Sequence, residues 1–370
     1  MKIGYVTTEL ASSSGWGHYS RAFVQVMAKT ETVSALIIKG APNDSVLPDV
    51  RAVLPKTGFG PWTQWKIAWQ VYKNFRGYDV IHCLVEPPGV GAAWGSMLLG
   101  VPFILTLSGT YSVIPRGTDW KSTLKRIMMK MMYRRASIVV TGSDRNIKLI
   151  QEVMPLSHWK FVPFGVTLEE FPERNYPPAE RPFILTVGAV KPRKGADIVV
   201  EAMALLKSRI PDLQYKIAGS TSERQSYVEE LRHLVAEKGL GDRVEILGKV
   251  SDEDILRLYH QCTALVLAAQ TRDGSFEGFP GVFYEAHACG APIISTYGFG
   301  SEYVVKNGYN GFLVQPDDIT SLAEAIAKIV ENPALRQKMS ENGRIEAKKH
   351  TWANVAEMYR TIYTQVHSHV

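Results

Sequence analysis

Two glutamates, Glu277 and Glu285, stand with seven residues between them in the stretch Glu277-Gly278-Phe279-Pro280-Gly281-Val282-Phe283-Tyr284-Glu285. The first falls in a Gly/Pro segment, where the backbone can come close to a ligand. The second falls about two helical turns further on if a helix starts near Pro280. Free N–H groups at such a helix start suit an anion. One short segment thus offers an acid, an anion site and a second acid able to hold a diol. A sugar nucleotide, with its sugar, diphosphate and ribose, has that chemistry.

Two further segments carry glycines at places where a ligand could approach. Gly188-Ala189-Val190-Lys191-Pro192-Arg193-Lys194-Gly195 sets three cations on a glycine-flanked turn. Arg gives bidentate contacts and Lys a compact charge, a combination that can clamp a diphosphate. Gly15-Trp16-Gly17-His18 follows the first strand-like run and opens a helical one, where it suits a phosphate or an acceptor hydroxyl. It is not a dinucleotide fingerprint. Ser20 stands where the last glycine belongs, and Lys39-Gly40 stands where an acid should end the second strand. Ser251-Asp252-Glu253-Asp254 contains an Asp-x-Asp, but its place before Ile255-Leu256-Arg257-Leu258-Tyr259 reads as a helix N-cap with an acidic first turn. No other cluster demands a metal, so neither metal nor cofactor is expected.

These segments need elements to hold them. Strand-like runs at Lys2–Thr7, Val33–Ile38, Val80–Leu84, Phe103–Leu107, Ile138–Thr141 and Trp159–Val162 alternate with helical ones. The alternation restarts at Phe183–Val187, Gln214–Ala218, Val244–Leu247, Ala264–Ala268 and Pro292–Ser295. Such alternation implies parallel sheets covered on both faces. A charged, proline-rich segment at Leu168–Pro178 marks a linker between them. The expected class is α/β, with two doubly wound Rossmann-like domains at 1–170 and 180–350 facing a central cleft. The chain ends in a helical segment around Trp352–Gln365. Ligands in such sheets bind at the carboxyl ends of strands.

The 370 residues and 45% hydrophobic content allow large cores. Cys83, Cys262 and Cys289 lack metal-ligand spacing and read as free thiols in a reducing compartment. The N-terminus lacks the pattern of a signal peptide. Gly89–Leu107 is uncharged, but its glycines and Pro102 read as a buried helix plus strand rather than a membrane span. The expected location is cytoplasmic, with a peripheral place on the cytoplasmic membrane face as the alternative. The net charge of +6 favours anionic partners. Trp62, Trp65, Trp69 and Tyr72 fall on one face of a helical run, which we read as core-facing. Trp120–Arg135 interleaves six cations with methionines, a pattern compatible with an anionic membrane surface.

The chain resembles the retaining glycosyltransferases of the GT-B fold, family four. Glu277 and Glu285 match that family's EX7E motif, and Val187-Gly188 to Lys194-Gly195 matches its diphosphate turn. Leu247-Gly248-Lys249-Val250-Ser251, Pro163-Phe164-Gly165-Val166 and Asn307-Gly308-Tyr309-Asn310-Gly311-Phe312-Leu313-Val314 resemble further family segments. The resemblance implies a metal-independent hexosyltransferase moving a sugar from a nucleoside diphosphate to a glycan, lipid-linked or small-molecule acceptor. Cell-envelope or exopolysaccharide synthesis is the implied setting, with no nucleic-acid partner. It implies that Glu277, Arg193 and Lys194 are catalytic. Glu285, Phe279, Gly281, Val282, Gly188, Gly248 and Val250 would bind the donor, and Gly15, Gly17 and His18 would form an acceptor or phosphate loop. Ser108 stands where the family often has His and would hydrogen-bond the donor sugar. Ala189 replaces a usual Arg, so the clamp leans on Lys191, Arg193 and Lys194. A sugar-nucleotide epimerase on the same fold and a non-catalytic sugar-nucleotide-binding protein are the rival readings.

Overall fold

The computed structural model describes the chain except for residues 13, 57, 173–175, 178, 273, 369 and 370, and except for the side chain of residue 110. Parts of the proline-rich 168–178 segment and of the final 352–370 segment therefore lie outside the described residues.

The chain divides into two compact units, residues 1–165 with 352–370, and residues 166–351. The first runs β1 (Lys2–Val6), α1 (Gly15–Met27), β2 (Thr32–Ile38), β3 (Val50–Leu54), α2 (Pro61–Asn74), β4 (Val80–Cys83), α3 (Gly89–Leu99), β5 (Phe103–Leu107), α4 (Trp120–Arg135), β6 (Ile138–Thr141), α5 (Asp144–Gln151) and β7 (Trp159–Phe161). Its strands form one sheet in the order β3-β2-β1-β4-β5-β6-β7, with every pairing parallel. The apolar run Phe103–Leu107 is buried throughout, as a central parallel strand must be. The uncharged 89–107 stretch is helix α3 followed by strand β5. No helix among the described residues is long and apolar enough to cross a membrane.

The second unit runs β8 (Phe183–Val187), α6 (Ala196–Leu205), β9 (Gln214–Ala218), α7 (Gln225–Glu237), β10 (Val244–Gly248), α8 (Asp252–Gln261), β11 (Ala264–Leu267), β12 (Thr271–Arg272), β13 (Ser275–Phe276), α9 (Val282–Ala288), β14 (Ile293–Thr296), β15 (Gly311–Val314), α10 (Ile319–Glu331) and α11 (Pro333–Lys349). Its parallel sheet has the order β10-β9-β8-β11-β14-β15, and β12 and β13 form a separate two-stranded ribbon. In both sheets the order reverses beside the first strand, between β1 and β4 and between β8 and β11. Such reversals open the crevice where α/β proteins bind ligands.

Helix α12 (Trp352–His367) belongs to the first unit. With α1 it covers one face of the first sheet, while α2 to α5 cover the other. Its aromatic hydroxyls key it to the strands. His82 on β4 bonds Tyr363 through Nδ1 at 2.7 Å and Thr106 through Nε2 at 2.8 Å. Tyr5 and Tyr363 hydroxyls lie 3.2 Å apart. Burial pushes the His82 pKa down to about 3, so the ring sits neutral in this network. The three cysteines are free and buried.

One sequence expectation fails in the first unit. The aromatic face of α2 is not its core face. Gln64, Ile67, Ala68 and Val71 are buried instead, and Trp62, Trp65 and Trp69 are exposed. Gln64 sets this rotation. Its Nε2 donates to Gly58 O at 2.7 Å and Pro87 O at 2.9 Å, and its Oε1 accepts from Gly91 N at 2.6 Å. Glycines on α3 let the helices approach: a Cβ on Gly91 would stand 2.5 Å from Gln64 O, and one on Gly95 2.5 Å from Val71 Cβ.

Candidate active site

The basic turn follows β8. Gly188 continues the strand edge with its N–H on Ala218 O at 2.8 Å, and Val190 N–H reaches Ser220 O at 2.9 Å. Pro192–Lys194 then makes a 3₁₀ turn closed by Gly195 at φ +68°. A Cβ on Gly195 would lie 1.9 Å from Ala268 O, so only glycine lets this turn press against the chain leaving β11. Gln270 N–H donates to Arg193 O at 2.8 Å and ties the turn to that same segment.

This packing delivers two cations to one carboxylate. Glu277 Oε2 lies 3.3 Å from Arg193 Nε and 3.4 Å from Lys194 Nζ. These are ion pairs at long range; no well-formed hydrogen bond from the described residues reaches Oε2, although the atom is fully enclosed. Burial by itself would raise the Glu277 pKa, but Lys194 and then Arg193 outweigh it and hold the carboxyl below its ordinary value. Burial lowers the Lys194 pKa, opposed by Glu277. The Lys194 stem folds back over Gly188, where an added Cβ would sit 3.0 Å from Cε and Nζ. Lys191 is drawn away to Glu223 at 2.5 Å. The two-cation cluster is therefore Arg193 and Lys194, and Lys191 pairs elsewhere.

Gly248 ends β10 at φ +69°, with open space where a side chain would be. Its carbonyl accepts from Gly219 N–H at 2.8 Å, and a Cβ on Gly219 would lie 2.0 Å from Gly188 O. The ends of β8, β9 and β10 thus meet through bare backbone, which brings Gly188 and Gly248 to one edge and sets Val250 just beyond it. Ser251 then caps α8, accepting from Asp254 N–H at 3.1 Å, as its spacing predicts. Among the described residues no group of three His, Cys, Asp or Glu is placed to hold a metal ion.

The helix after Glu277 starts later than the sequence suggested. Helix α9 begins at Val282, with Gly281 at its N-cap and no side-chain cap. Gly278, Pro280 and Gly281 keep the preceding residues in a loop, so Glu285 stands on the first turn of α9 rather than two turns along. Glu285 Oε2 accepts from the buried Tyr259 hydroxyl at 2.8 Å, which fixes its side chain against α8. Phe279 is buried, its ring 6.0 Å from that of Tyr284. A concavity of about 790 Å³ runs along α7. Asp197, Glu229, Glu230 and Glu237 line it against one guanidinium, Arg272, and that excess of acid repels a diphosphate.

The other sequence candidates lie in the first unit. Gly15 and His18 open α1 beyond the end of β1, with Ser14 capping through Gly17 N–H at 3.0 Å and bonding Glu9. Gly15 has open space around it; Gly17 does not, since its Cβ would lie 2.3 Å from Ala11 O. Gly17 is thus a packing glycine. Ser108, beyond β5, has its hydroxyl hydrogen committed to Glu86 Oε2 at 2.5 Å. Glu86 escaped the sequence reading. It is fully buried after β4 and accepts from the N–H groups of Ser108 at 2.8 Å and Gly109 at 3.2 Å. Burial raises its pKa, against the lowering effect of the Ser108 hydrogen bonds. An acid placed after a strand run and before Pro87-Pro88 was the available signal.

Residues 168–346, nearly the whole second unit, match the sequence model of the family described as glycosyl transferases group 1. The second unit thus carries the sequence pattern of the group 1 glycosyltransferases. An uncharacterised glycosyltransferase of Methanocaldococcus jannaschii is 27% identical over 308 residues, covering 81% of this chain and 80% of that protein. Sucrose-phosphate synthase of Thermosynechococcus elongatus superposes with a TM-score of 0.79 at 23% identity, over 100% of both chains. HepE of Anabaena, solved with UDP-glucose, gives a TM-score of 0.80 at 19% identity over 99% of this chain and 100% of that one. The glycosyltransferase fold is GT-B, two Rossmann-like parallel-sheet units.

Proposed function

We propose that the protein is a metal-independent retaining hexosyltransferase using a nucleoside diphosphate sugar. The observation that carries this reading is the enclosed cluster of Arg193, Lys194 and Glu277 at the switch point between β8 and β11. Two cations held by a short-range fold constraint can stabilise a departing diphosphate without reorganising, which is the largest contribution such sites make. The Glu277 carboxylate beside them suits a sugar whose anomeric carbon gains positive charge. Glu285, oriented by Tyr259, suits the ribose diol. The bare backbone at Gly188 and Gly248 leaves room for phosphate and base.

In this reading the bond from the anomeric carbon to the diphosphate oxygen breaks, and an acceptor hydroxyl attacks from the same face. Its proton passes to the departing diphosphate. The acceptor is a glycan, a lipid-linked sugar or a small molecule, in cell-envelope or exopolysaccharide assembly. HepE, the neighbour solved with UDP-glucose, makes UDP-sugars the first donors to try. The test is a thermal-shift panel of UDP-, GDP- and ADP-sugars, since a ligand of the native state raises the melting temperature. Proton NMR of the product with the stabilising donor then reads the anomeric configuration. An inverted product, or sugar turnover needing no acceptor, would overturn the assignment.

A further inference from the structure

The positive charge of this chain is concentrated in one stretch. Residues 58–136 hold ten Lys and Arg against three Asp and Glu, while the rest of the chain holds 32 against 33. That stretch contains α2, α3 and α4, which pack side by side on one face of the first sheet. None of the three helices contains an acidic residue.

The same helices expose large apolar side chains. On α2, Trp62 is 78% exposed, and Trp65 and Trp69 are about half exposed. On α4, Trp120 is 71% exposed, and Ile127 and Met131 are also exposed. The α2 tryptophans point outward by construction. The buried amide of Gln64 and the contacts of Gly91 and Gly95 fix the rotation of the helix, so these rings have no inward alternative. Helix α4 is joined to the start of α2 by Lys125, whose ammonium lies 4.1 Å from the centroid of the Phe59 ring. Some cations serve the fold: Arg126 donates to Gly117 O and Arg135 to Val101 O. Lys66, Lys73, Lys130 and Arg134 have no ion-pair partner among the described residues.

We propose that α2, α3 and α4 form one face by which the protein lies on an anionic lipid bilayer. Unpaired cations supply attraction to anionic headgroups, and tryptophans prefer the boundary between headgroup and acyl chain. Duplex nucleic acid would use the cations but leaves three solvent-facing indoles on α2 without a role; a single strand would stack its bases on them, yet leaves the exposed Ile127 and Met131 of α4 unused. The proposal stands apart from the donor chemistry, since none of these residues belongs to the Glu277 cluster.

Vesicle flotation tests it, using equal parts phosphatidylglycerol and phosphatidylcholine beside phosphatidylcholine alone. Two variants are compared with the parent: Trp62/Trp65/Trp69→Ser and Lys66/Lys73/Lys130→Gln. Five of these side chains are exposed and Lys130 is half-buried, and circular dichroism and Tm check that the fold persists. The parent should float with the anionic vesicles at low salt, with a blue shift of its tryptophan emission, and lose most binding at 1 M salt. Each variant should bind at least ~10-fold more weakly. Absence of flotation, equal affinity for neutral vesicles, or parent-like binding by either variant would overturn the proposal. So would binding to single-stranded RNA or duplex DNA that matches the vesicle affinity and survives the tryptophan substitutions.

Discussion

The two sheets share a strand order and differ in what stands at their carboxyl ends. In the second unit, the switch point carries Glu277 with two cations around it. In the first, the corresponding place carries Glu86, more deeply buried than Glu277, whose partners are neutral donors of Ser108 and Gly109. Both carboxylates meet loops from a neighbouring strand, Glu86 through hydrogen bonds and Glu277 through longer ion pairs; burial wins at Glu86 and the cations win at Glu277, so the pKa values move in opposite directions. A buried carboxylate with cations belongs to a place that can exchange one anion for another. A buried carboxylate held by amides and a hydroxyl belongs to a place that shapes a loop. The charged chemistry should therefore reside in the second unit alone.

Substitutions at the cation cluster test this most severely. Lys194→Ala should lower kcat at least ~100-fold, on the scale of losing one preorganised charge-stabilising donor. Glu277→Gln should also act on kcat more than on KM, because its interaction strengthens as the sugar becomes cationic. Removing Lys194 also removes the strongest influence holding Glu277 ionised. Any residual activity of Lys194→Ala should therefore fall off at higher pH than the parent's as the solution is acidified. Near-normal kcat in both variants would reduce the cluster to surface decoration and erase the contrast.

In the first unit the expected losses are structural. Gly17→Ala forces a Cβ to within 2.3 Å of Ala11 O, and overpacking of that kind costs about 1–3 kcal/mol. Gly15→Ala meets nothing within 4 Å and should leave stability unchanged, so any effect it has on acceptor KM reports a ligand. Urea unfolding of the two variants separates these roles.

Glu285→Ala should raise the donor KM about 10-fold with kcat near the parent value, the signature of uniform binding. Tyr259→Phe, which removes only the hydrogen bond that orients Glu285, should do the same more weakly. Steady-state kinetics with the true donor measure both, and a kcat effect larger than the KM effect would exchange the assigned roles of the two glutamates.

The first unit should also be the more sensitive to mild acid through His82. Its folded pKa is depressed to about 3, so protons bind the unfolded state preferentially. Stability contributed by the neutral ring is present above about pH 6.5 and is lost as pH falls from there towards 3, at up to about 1.4 kcal/mol per pH unit per proton. His287 in the second unit, lowered by burial to about 4, adds a narrower window of the same sign. Denaturant titrations between pH 7.5 and 5, on the parent and on His82→Gln, should show a flatter slope in the variant. The smallest expected effect is that of EDTA, which should leave transfer unchanged; loss restored by Mg²⁺ or Mn²⁺ would refute a cluster that works without metal.

Both sheets and the basic turn were legible in the sequence because each depends on local patterns: buried apolar runs, glycines at strand ends and cations within one turn. The edge strands β3 and β15 were not: Arg51, Ala52 and Val53 of β3 are exposed, which leaves it without a buried apolar run, and β15 is a four-residue strand opened by a glycine. Helix α2 misled for a related reason. Its tryptophans outweigh its true core face in hydrophobicity, and the residue that decides its rotation is a polar one, Gln64, whose partners are backbone atoms of Gly58, Pro87 and Gly91. Glu86 was hidden in the same way. A carboxylate stabilised by amides 22 and 23 residues away leaves no charged partner in the sequence to betray it. The register of Glu285 on α9 depended on where a loop holding Gly278, Pro280 and Gly281 stops, and propensity places such boundaries only to within a few residues.

The aromatic hydroxyls of α12 also set an order of events during synthesis. The first sheet emerges from the ribosome early, with one of its faces still lacking the helix that covers Tyr5, His82 and Thr106. Residues 166–351, an entire unit with its own core, must be made before that helix exists. At bacterial-to-eukaryotic elongation rates this interval is roughly 10–40 s. The first unit made is thus the last to be finished, and for that interval its sheet holds out an apolar face to whatever chaperone or neighbouring chain arrives first.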